Sequence, residues 1–248
     1  MPMTPARRVM LAIIVPVALT AIGWGAFSLI ASLGSSSFSF RAPLTAPGGK
    51  LTADFPSSNV TVVPGDAAGV AGTASYSLVR PHLRVSDGTV SYHCPVPAGT
   101  CGMTATLTVP AATASMSVST GGGDLTVANG ITASAALATS SGNITAAGLT
   151  GTASLESGGG NVYASGIAAA RMTVDSDSGD VTLRFGEAPD HVLVNSGGGD
   201  VWIVLPRGDY NFQVSADGGT VDTPASDSGA RDVVVVNSDS GNITVLES

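Results

Sequence analysis

The stretch SGGGDVWIVLP (196–206) joins three glycines to an acid, Asp200, a combination that could bind phosphate or a metal ion. A phosphate site of this kind needs a helix after the glycines, because the N–H groups of the first helical turn face the anion. The residues after Asp200 instead form a short apolar run that is typical of a strand. We therefore interpret Gly197–Gly199 as a sharp turn in which the glycines supply positive φ.

Calcium is the metal ion that the acids could hold, with Asp180 and Asp200 as weak candidates. If successive turns stack, these carboxylates lie one above the other. Calcium takes about six to eight oxygen ligands, and turns with one acid each, often replaced by Asn or Thr, offer too few. The sequence therefore predicts no metal site.

Catalytic motifs are weak in this chain. Asp-Ser-Gly triplets resemble the signature of aspartic proteases, in which each motif follows an apolar strand and two carboxylates share a proton. Here a serine precedes each triplet, at 177–179, 227–229 and 239–241. The sequence also lacks a Gly-x-Ser-x-Gly elbow that would supply a nucleophile for one of the three histidines. We predict no catalytic residues, no cofactor and no enzyme activity.

The glycine-rich turn belongs to a series. A polar residue follows the glycines in every copy, at steps of 19, 18, 19, 20, 20 and 22 residues. Apolar residues at alternate positions lie on each side of the turn, which predicts two short strands in each repeat. The polar turn residues are Asp124, Asn143, Asn161, Asp180, Asp200, Thr220 and Asn242.

The predicted fold class is all-β, a single-stranded β-solenoid (β-helix) whose rungs of about 20 residues stack on one another because none has a core of its own. Small aliphatic residues suit its narrow interior, in agreement with an aromatic content of 5%. Gly-Gly-Gly and Ser-rich turns alternate through most of the series, so a unit of about 40 residues stays open. Residues 111–248 form the repeats, and residues 51–110 form N-terminal rungs and a cap.

The N-terminal segment predicts a membrane anchor. Residues 9–33 are apolar and uncharged, which is long enough for a transmembrane helix. Arg7 and Arg8 predict a cytoplasmic N-terminus (1–8) and an extracellular body. A cleaved signal peptide is the alternative, although its apolar region is usually shorter. Residues 34–50, rich in Ser, Pro and Gly, are interpreted as a linker. We expect a single-pass protein of the cell membrane.

Cys94 and Cys101 enclose the segment PVPAGT in a body that lies outside the cytoplasm. Two cysteines in that location favour a disulfide. Free thiols, or a metal site that includes His93, are the alternatives. Further metal ligands at a suitable spacing are missing.

Charge and the C-terminal strand both bear on the partners of the chain. The formal net charge is −8, which argues against nucleic acid as a partner and suits cationic peptides or divalent ions.

The last predicted strand (243–245) ends three residues before Ser248. We expect this C-terminal rung to leave an open edge through which the chain self-associates or binds a partner.

Three stretches resemble the adhesin-like DUF4097 family, in particular its membrane-anchored actinobacterial type. They are SSGNITAAGL (140–149), SDSGDVTLRFG (176–186) and the cysteine-containing VSDGTVSYHCPVPAGTCGMTATLTVPAAT (85–113). The resemblance extends from about residue 40 onward and includes the anchor. It implies a β-stranded surface domain without established catalysis, so no catalytic residue carries over, and it links some members to envelope-stress responses.

These observations together predict a non-enzymatic, membrane-anchored β-solenoid at the cell surface. Its role is adhesin-like binding of a protein, a glycan or an envelope component. The alternative is an envelope-stress component that binds cationic peptides or calcium through an acidic edge.

Overall fold

The computed structural model describes residues 35–77, 79–95 and 101–248. The predicted cytoplasmic N-terminus (1–8) and transmembrane helix (9–33) lie outside these residues. Within the described ranges, no helix is both long and apolar enough to cross a membrane. The described chain is all-β, as predicted, with a 3₁₀ turn at Pro47–Gly49.

Buried and exposed side chains alternate along most strands, as in Ser115–Thr120 and Val201–Leu205. This period of two gives each strand one face toward the core and one toward solvent. The strands are β1 (Ser36–Pro43), β2 (Lys50–Phe55), β3 (Ser58–Pro64), β4 (Gly69–Tyr76), β5 (His82–Ser86), β6 (Thr89–His93), β7 (Cys101–Val109), β8 (Ser115–Thr120), β9 (Leu125–Val127), β10 (Ser134–Thr139), β11 (Ile144–Ala147), β12 (Thr150–Ser157), β13 (Val162–Ser176), β14 (Val181–Phe185), β15 (His191–Ser196), β16 (Val201–Leu205), β17 (Tyr210–Ala216), β18 (Val221–Asp222), β19 (Asp232–Ser238) and β20 (Ile243–Glu247).

The strands form two sheets whose inner faces share one core. Sheet I contains the strand before each glycine-rich turn, and sheet II contains the strand after it. Two such strands with their turn make one rung, and equivalent strands of neighbouring rungs pair in parallel. Strand β13 is common to both sheets, because its first part pairs in sheet II and its second part in sheet I.

The middle of the stack follows the sequence repeat. Met116, Ala135, Ala153, Met172 and Val192 occupy equivalent positions of successive rungs. Each step is 18 to 20 residues, so the repeating unit is a single rung of about 20 residues.

Small aliphatic side chains fill the interior. In sheet II, Val162, Val181, Val201 and Ile243 form one column of directly paired residues, and each is at most 1% exposed. Because each rung buries its apolar residues against the rungs on both sides, the core is continuous along the stack. Burial at this level is the main stabilising contribution to such a fold.

At the C-terminal end, the order of the rungs in space differs from their order in the sequence. Strands β19 and β20 pair with β15 and β16 on one side and with β17 and β18 on the other. The rung that contains Thr220 therefore ends the stack, and the C-terminal rung lies one place inside it. The expectation of an open edge at the C-terminal rung is wrong, because both of its strands have two neighbours.

The connection after β18 covers part of the end rung. The Asp227 N–H donates to the Tyr210 carbonyl (2.9 Å), and the Ser226 Oγ accepts from the Phe212 N–H (2.9 Å) and donates to the Phe212 carbonyl (3.2 Å). Residues 223–231 join β18 to β19 and are long enough to pass over the end rung. The step that skips one rung is made earlier, by residues 206–209 between β16 and β17.

The N-terminal end shows the same inversion. The rung β2–β3 lies between β6–β7 and β8–β9. In the β6–β7 rung, the Cys94–Cys101 disulfide stands where other rungs have a glycine-rich turn, with a Cα–Cα distance of 6.1 Å. The predicted disulfide is thus confirmed. Antiparallel strands cover this end, with β5 on β6 in sheet I, and β4 and then β1 beyond β7 in sheet II.

The interpretation of residues 34–50 as a linker is wrong. Ser36–Pro43 form β1, which pairs antiparallel with β4 along its whole length. Phe38 and Phe40 pack against the core, and the Phe38 ring lies 6.1 Å from that of Tyr76. The Ser- and Pro-rich composition hid the alternation of Phe38, Phe40 and Ala42, which is the strand signal in this segment.

Candidate functional site

The predicted turn residues form a hydrogen-bonded ladder along one edge of the stack. The Oδ1 atom of each Asp or Asn accepts a hydrogen bond from the backbone N–H of the equivalent residue in the next rung. The ladder ends at Thr220, whose N–H and hydroxyl both donate to Asn242. The accepting residues are, in spatial order, Asn59, Asp124, Asn143, Asn161, Asp180, Asp200 and Asn242, with bonds of 2.7–3.1 Å.

Asn59 is a ladder residue that the repeat pattern missed. The turn before it contains Pro56 and Ser57 instead of glycines, so the glycine signal is absent. The available signal was the apolar alternation of Val60 and Val62, which matches the strand that follows each glycine turn. The order of the last two ladder residues also differs from the sequence, because Asn242 lies between Asp200 and Thr220 in space.

The glycine before every ladder residue except Asn59 is required by close packing between rungs. A Cβ on Gly160 would lie less than 3.0 Å from the carbonyl oxygen of Gly142, and the equivalent glycines meet the same obstacle. The expectation of positive φ holds at Gly199 (φ +101°) and is wrong at Gly197 and Gly198. The backbone of the neighbouring rung, more than the shape of the turn, therefore selects glycine.

Buried hydroxyls stabilise the turns from inside, a role that the sequence reasoning missed. The Ser157 Oγ donates to the Gly160 carbonyl (2.7 Å) and accepts from the Gly160 N–H (3.1 Å), which closes the turn. A Ser or Thr four residues before the ladder residue was the available signal. The buried members of this set that form such hydrogen bonds are Thr120, Thr139, Ser157, Ser176 and Ser196. Ser238 is buried at the same position, but its hydroxyl has no hydrogen-bond partner.

The calcium candidates Asp180 and Asp200 lie in neighbouring rungs. The Asp180 Oδ1 accepts from the Asp200 N–H (2.9 Å), and the Asp200 Oδ1 accepts from the backbone and side-chain amides of Asn242 (2.7 and 3.1 Å). One oxygen of each carboxylate is therefore engaged in the ladder. Among the residues that the structure describes, no group of three or more His, Cys, Asp or Glu side chains could hold a metal ion.

The outward face of sheet II carries a row of threonines with two exposed aromatic residues. Tyr163 pairs with Thr182, and Thr182 pairs with Trp202 in the next rung. Tyr163 is 43% exposed and Trp202 is 38% exposed. The Arg184 guanidinium lies over the Trp202 ring, 4.6 Å from its centroid. We name this surface the aromatic–threonine face; its row comprises Thr61, Thr126, Thr145, Tyr163, Thr182, Trp202 and Thr244.

The outward face of sheet I carries carboxylates close to the turns. They line a groove of about 440 Å³, which we name the acidic groove. Small residues such as Ala138, paired with Glu156, leave space between the longer acidic side chains. The acids of the groove are Asp54, Glu156, Asp175 and Asp177.

Two buried tyrosines have perturbed acidity. Burial raises the pKa of Tyr92, and burial together with the carboxylates of Asp232 and Glu247 raises the pKa of Tyr210. The Tyr210 hydroxyl donates to the Pro206 carbonyl (2.9 Å). Tyr92 lies in β6 and Tyr210 lies in β17. Both strands are near the ends of the stack, and both side chains are neutral core residues there.

The sequence profile of the Toastrack DUF4097 family matches residues 22–246. The chain belongs to this family. The assignment of this Toastrack protein to the membrane-anchored actinobacterial type stays a prediction. No curated protein matches it.

The solved structures that match this Toastrack protein share little sequence with it. A "putative adhesin" from Bacteroides fragilis has 13% identity and a TM-score of 0.47, with 86% of this chain and 97% of that chain covered. A "putative lipid binding protein" from Parabacteroides distasonis has 10% identity and a TM-score of 0.49, with 84% and 96% covered. A "putative cell adhesion protein" from Clostridium sporogenes has 12% identity and a TM-score of 0.33, with 86% and 100% covered.

The packing role of the turn glycines predicts a sharp contrast between adjacent positions. Gly160→Ala should lower the free energy of unfolding by about 1–3 kcal/mol, because its Cβ meets the neighbouring backbone. Gly159→Ala is the matched control, since its Cβ would find its nearest atom at an ordinary 3.6 Å, and it should change stability by no more than about 0.5 kcal/mol. Urea unfolding followed by circular dichroism measures both. Equal losses would contradict the packing explanation.

The ladder predicts that a side-chain acceptor, and not a charge, matters at Asp180. Asp180→Ala removes the acceptor of the Asp200 N–H and should cost about 1 kcal/mol of unfolding free energy. Asp180→Asn keeps the Oδ1 atom and should leave stability unchanged or slightly higher, because Asp200 in the next rung is also acidic. Urea unfolding at neutral pH distinguishes them. Equal destabilisation by both substitutions would show that the carboxylate charge is the important property.

Proposed function

We propose that this Toastrack protein is a non-enzymatic binding module, anchored in the cell membrane by residues 9–33 and displayed outside the cell. The repetition of outward side chains once in every rung carries this proposal. Such repetition makes flat, extended surfaces, whereas sites for small substrates are concave and enclosed. Extended surfaces suit binding to a large or repetitive partner in the envelope.

Two features support the location. Arg7 and Arg8 precede the apolar segment 9–33, an arrangement that orients the N-terminus toward the cytoplasm. The Cys94–Cys101 disulfide is stable in an oxidising compartment, and such bonds are rare in the cytosol. Both features agree with a body outside the cytoplasmic membrane.

Fractionation of bacterial cells that produce the full chain with a C-terminal epitope tag tests this location. We expect the chain to stay in the membrane after an alkaline wash and the tag to be lost when protease is added to intact cells. Arg7→Glu combined with Arg8→Glu should reduce the protease-sensitive fraction, because the charge bias that sets orientation is reversed. A chain found in the soluble fraction, or one protected from external protease, would contradict the proposal.

The acidic groove supports a second candidate function, binding of cationic peptides or calcium in an envelope-stress role. Its four carboxylates lie on one face within a groove of about 440 Å³. A lysine-rich peptide would contact several of these carboxylates at once, which raises both the association rate and the affinity. Calcium is the weaker candidate, because among the described residues these carboxylates form no group of three that could hold a metal ion.

Calorimetric titration of the full chain in detergent, with a decalysine peptide and separately with calcium, tests this candidate. Asp54→Asn combined with Glu156→Gln should weaken saturable peptide binding about tenfold, because two charges of the groove are lost. Asp66→Asn combined with Glu187→Gln removes the same net charge at exposed positions outside the groove and should leave binding unchanged. Equal weakening in both variants would show that the peptide is attracted by the overall negative charge, and it would exclude a specific site in the groove.

A further inference from the structure

The aromatic–threonine face has a chemical character that differs from the rest of the acidic surface. Its row from Thr61 to Thr244 consists of hydroxyl-bearing side chains and the Trp202 indole, without an acid. Arg184 lies beside the row, and Asp222 pairs with Thr244 at its end. The face therefore offers hydrogen-bond donors and acceptors, together with apolar ring surfaces, to a ligand without strong charge.

The spacing of the two exposed rings is set by the stack. Tyr163 and Trp202 are separated by one rung, that of Thr182, so they lie two strand spacings apart, or about 9.6 Å. The small Thr182 between them leaves both rings projecting from the sheet. The Arg184 guanidinium over Trp202 restricts the indole, because a cation and an aromatic ring attract each other at this distance.

From this arrangement we infer that the aromatic–threonine face binds an extended, uncharged, β-linked glycan that lies along the stack. In such a chain, alternate sugars have the same orientation and repeat at about the distance of two rungs. Two alternate sugars thus present equivalent apolar faces to Tyr163 and Trp202, and the sugar between them lies over Thr182. The threonine hydroxyls of successive rungs are available to sugar hydroxyls along the same line.

The neutrality of the face decides between this ligand and other partners. Nucleic acid needs a row of cations, and the face contributes Arg184. A cationic peptide needs several free acids, and four line the acidic groove on the other sheet. The ladder acids Asp180 and Asp200 flank the row at the turns, and one oxygen of each already accepts a hydrogen bond within the ladder. Exposed Trp, Tyr and Arg are also the residues that most often dominate the affinity of a binding surface. The inference deepens the proposed surface function by naming the class of ligand.

Titration of the full chain in detergent with cellohexaose and with chitohexaose tests the inference by calorimetry and by tryptophan fluorescence. We expect saturable binding of at least one of these β-linked hexamers and no comparable binding of maltohexaose, whose α-linked chain is coiled. The corresponding disaccharide should bind at least tenfold more weakly, because it cannot reach both rings. Failure of both β-linked hexamers to bind would overturn the inference.

Variants of the two rings locate the site. Trp202→Ala and Tyr163→Ala should each weaken hexamer binding at least tenfold, whereas Trp202→Phe and Tyr163→Phe keep a ring and should retain most of it. Leu193→Ala, an exposed apolar residue of sheet I (36% exposed), is the control and should have no effect. Circular dichroism and urea midpoints verify that each variant is folded. Equal effects of the Trp202 and Leu193 variants would place the ligand elsewhere.

Other occupants of the face would give different results. Trp202-dependent binding to phosphatidylcholine vesicles without hexamer binding would assign the face to a membrane. A dimer seen by sedimentation and abolished by Trp202→Ala would assign it to a second copy of the chain. Either result would overturn the glycan inference. If the chain is cleaved by protease on intact cells but binds no glycan, the glycan inference fails and the proposed function stands. If the chain binds the glycan but is protected from external protease, the proposed function fails and the glycan inference stands.

Discussion

The structure depends on the close approach of each turn to the turn of the next rung. At this edge the chain reverses direction within a few residues while parallel strands stay in register on both sides. The glycine before the ladder residue has no room for a Cβ, and the Asp or Asn that follows supplies the acceptor for the next N–H. Glycine thus satisfies a packing constraint and Asx satisfies a hydrogen-bonding constraint. Both constraints recur in every such rung, and this recurrence produces the sequence repeat.

Much of this fold could be predicted, because local signals determine it. The spacing of the glycine turns and the apolar alternation around them predicted the all-β class and two strands in each rung of about 20 residues, whereas the alternation of turn types left a repeating unit of about 40 residues open. The order of the end rungs could not be predicted, since Val221 and Ile243 are aliphatic residues at the same position of the repeat and the sequence does not state which of them pairs with Val201. Strand β1 escaped prediction because serine and proline outweighed Phe38 and Phe40 in the composition.

The candidate surfaces were less predictable than the fold. The turn residues were identified, but their mutual hydrogen bonds depend on the register between rungs, which the sequence does not state. Tyr163 and Trp202 each follow a ladder residue by two positions, so their outward direction is readable once the strands are assigned. The distance between Tyr163 and Trp202 follows only once the neighbouring rungs are known. The same holds for the distance between Asp54 and Glu156. The insertion of β2–β3 next to β8–β9 brings Asp54 into the acidic groove.

The inverted order of the end rungs changes how the stack would come apart. In a linear repeat the terminal unit has a free chain end and a single neighbour, so unravelling begins there. Here the unit with a single neighbour, β17–β18, is tethered by the backbone at both of its ends, and it gains less entropy on detachment than a free tail. The unit that ends the chain, β19–β20, is clamped from both sides. Detachment of β20 would therefore have to break its pairing with both β16 and β18, whereas a terminal strand of a linear repeat has one pairing to lose.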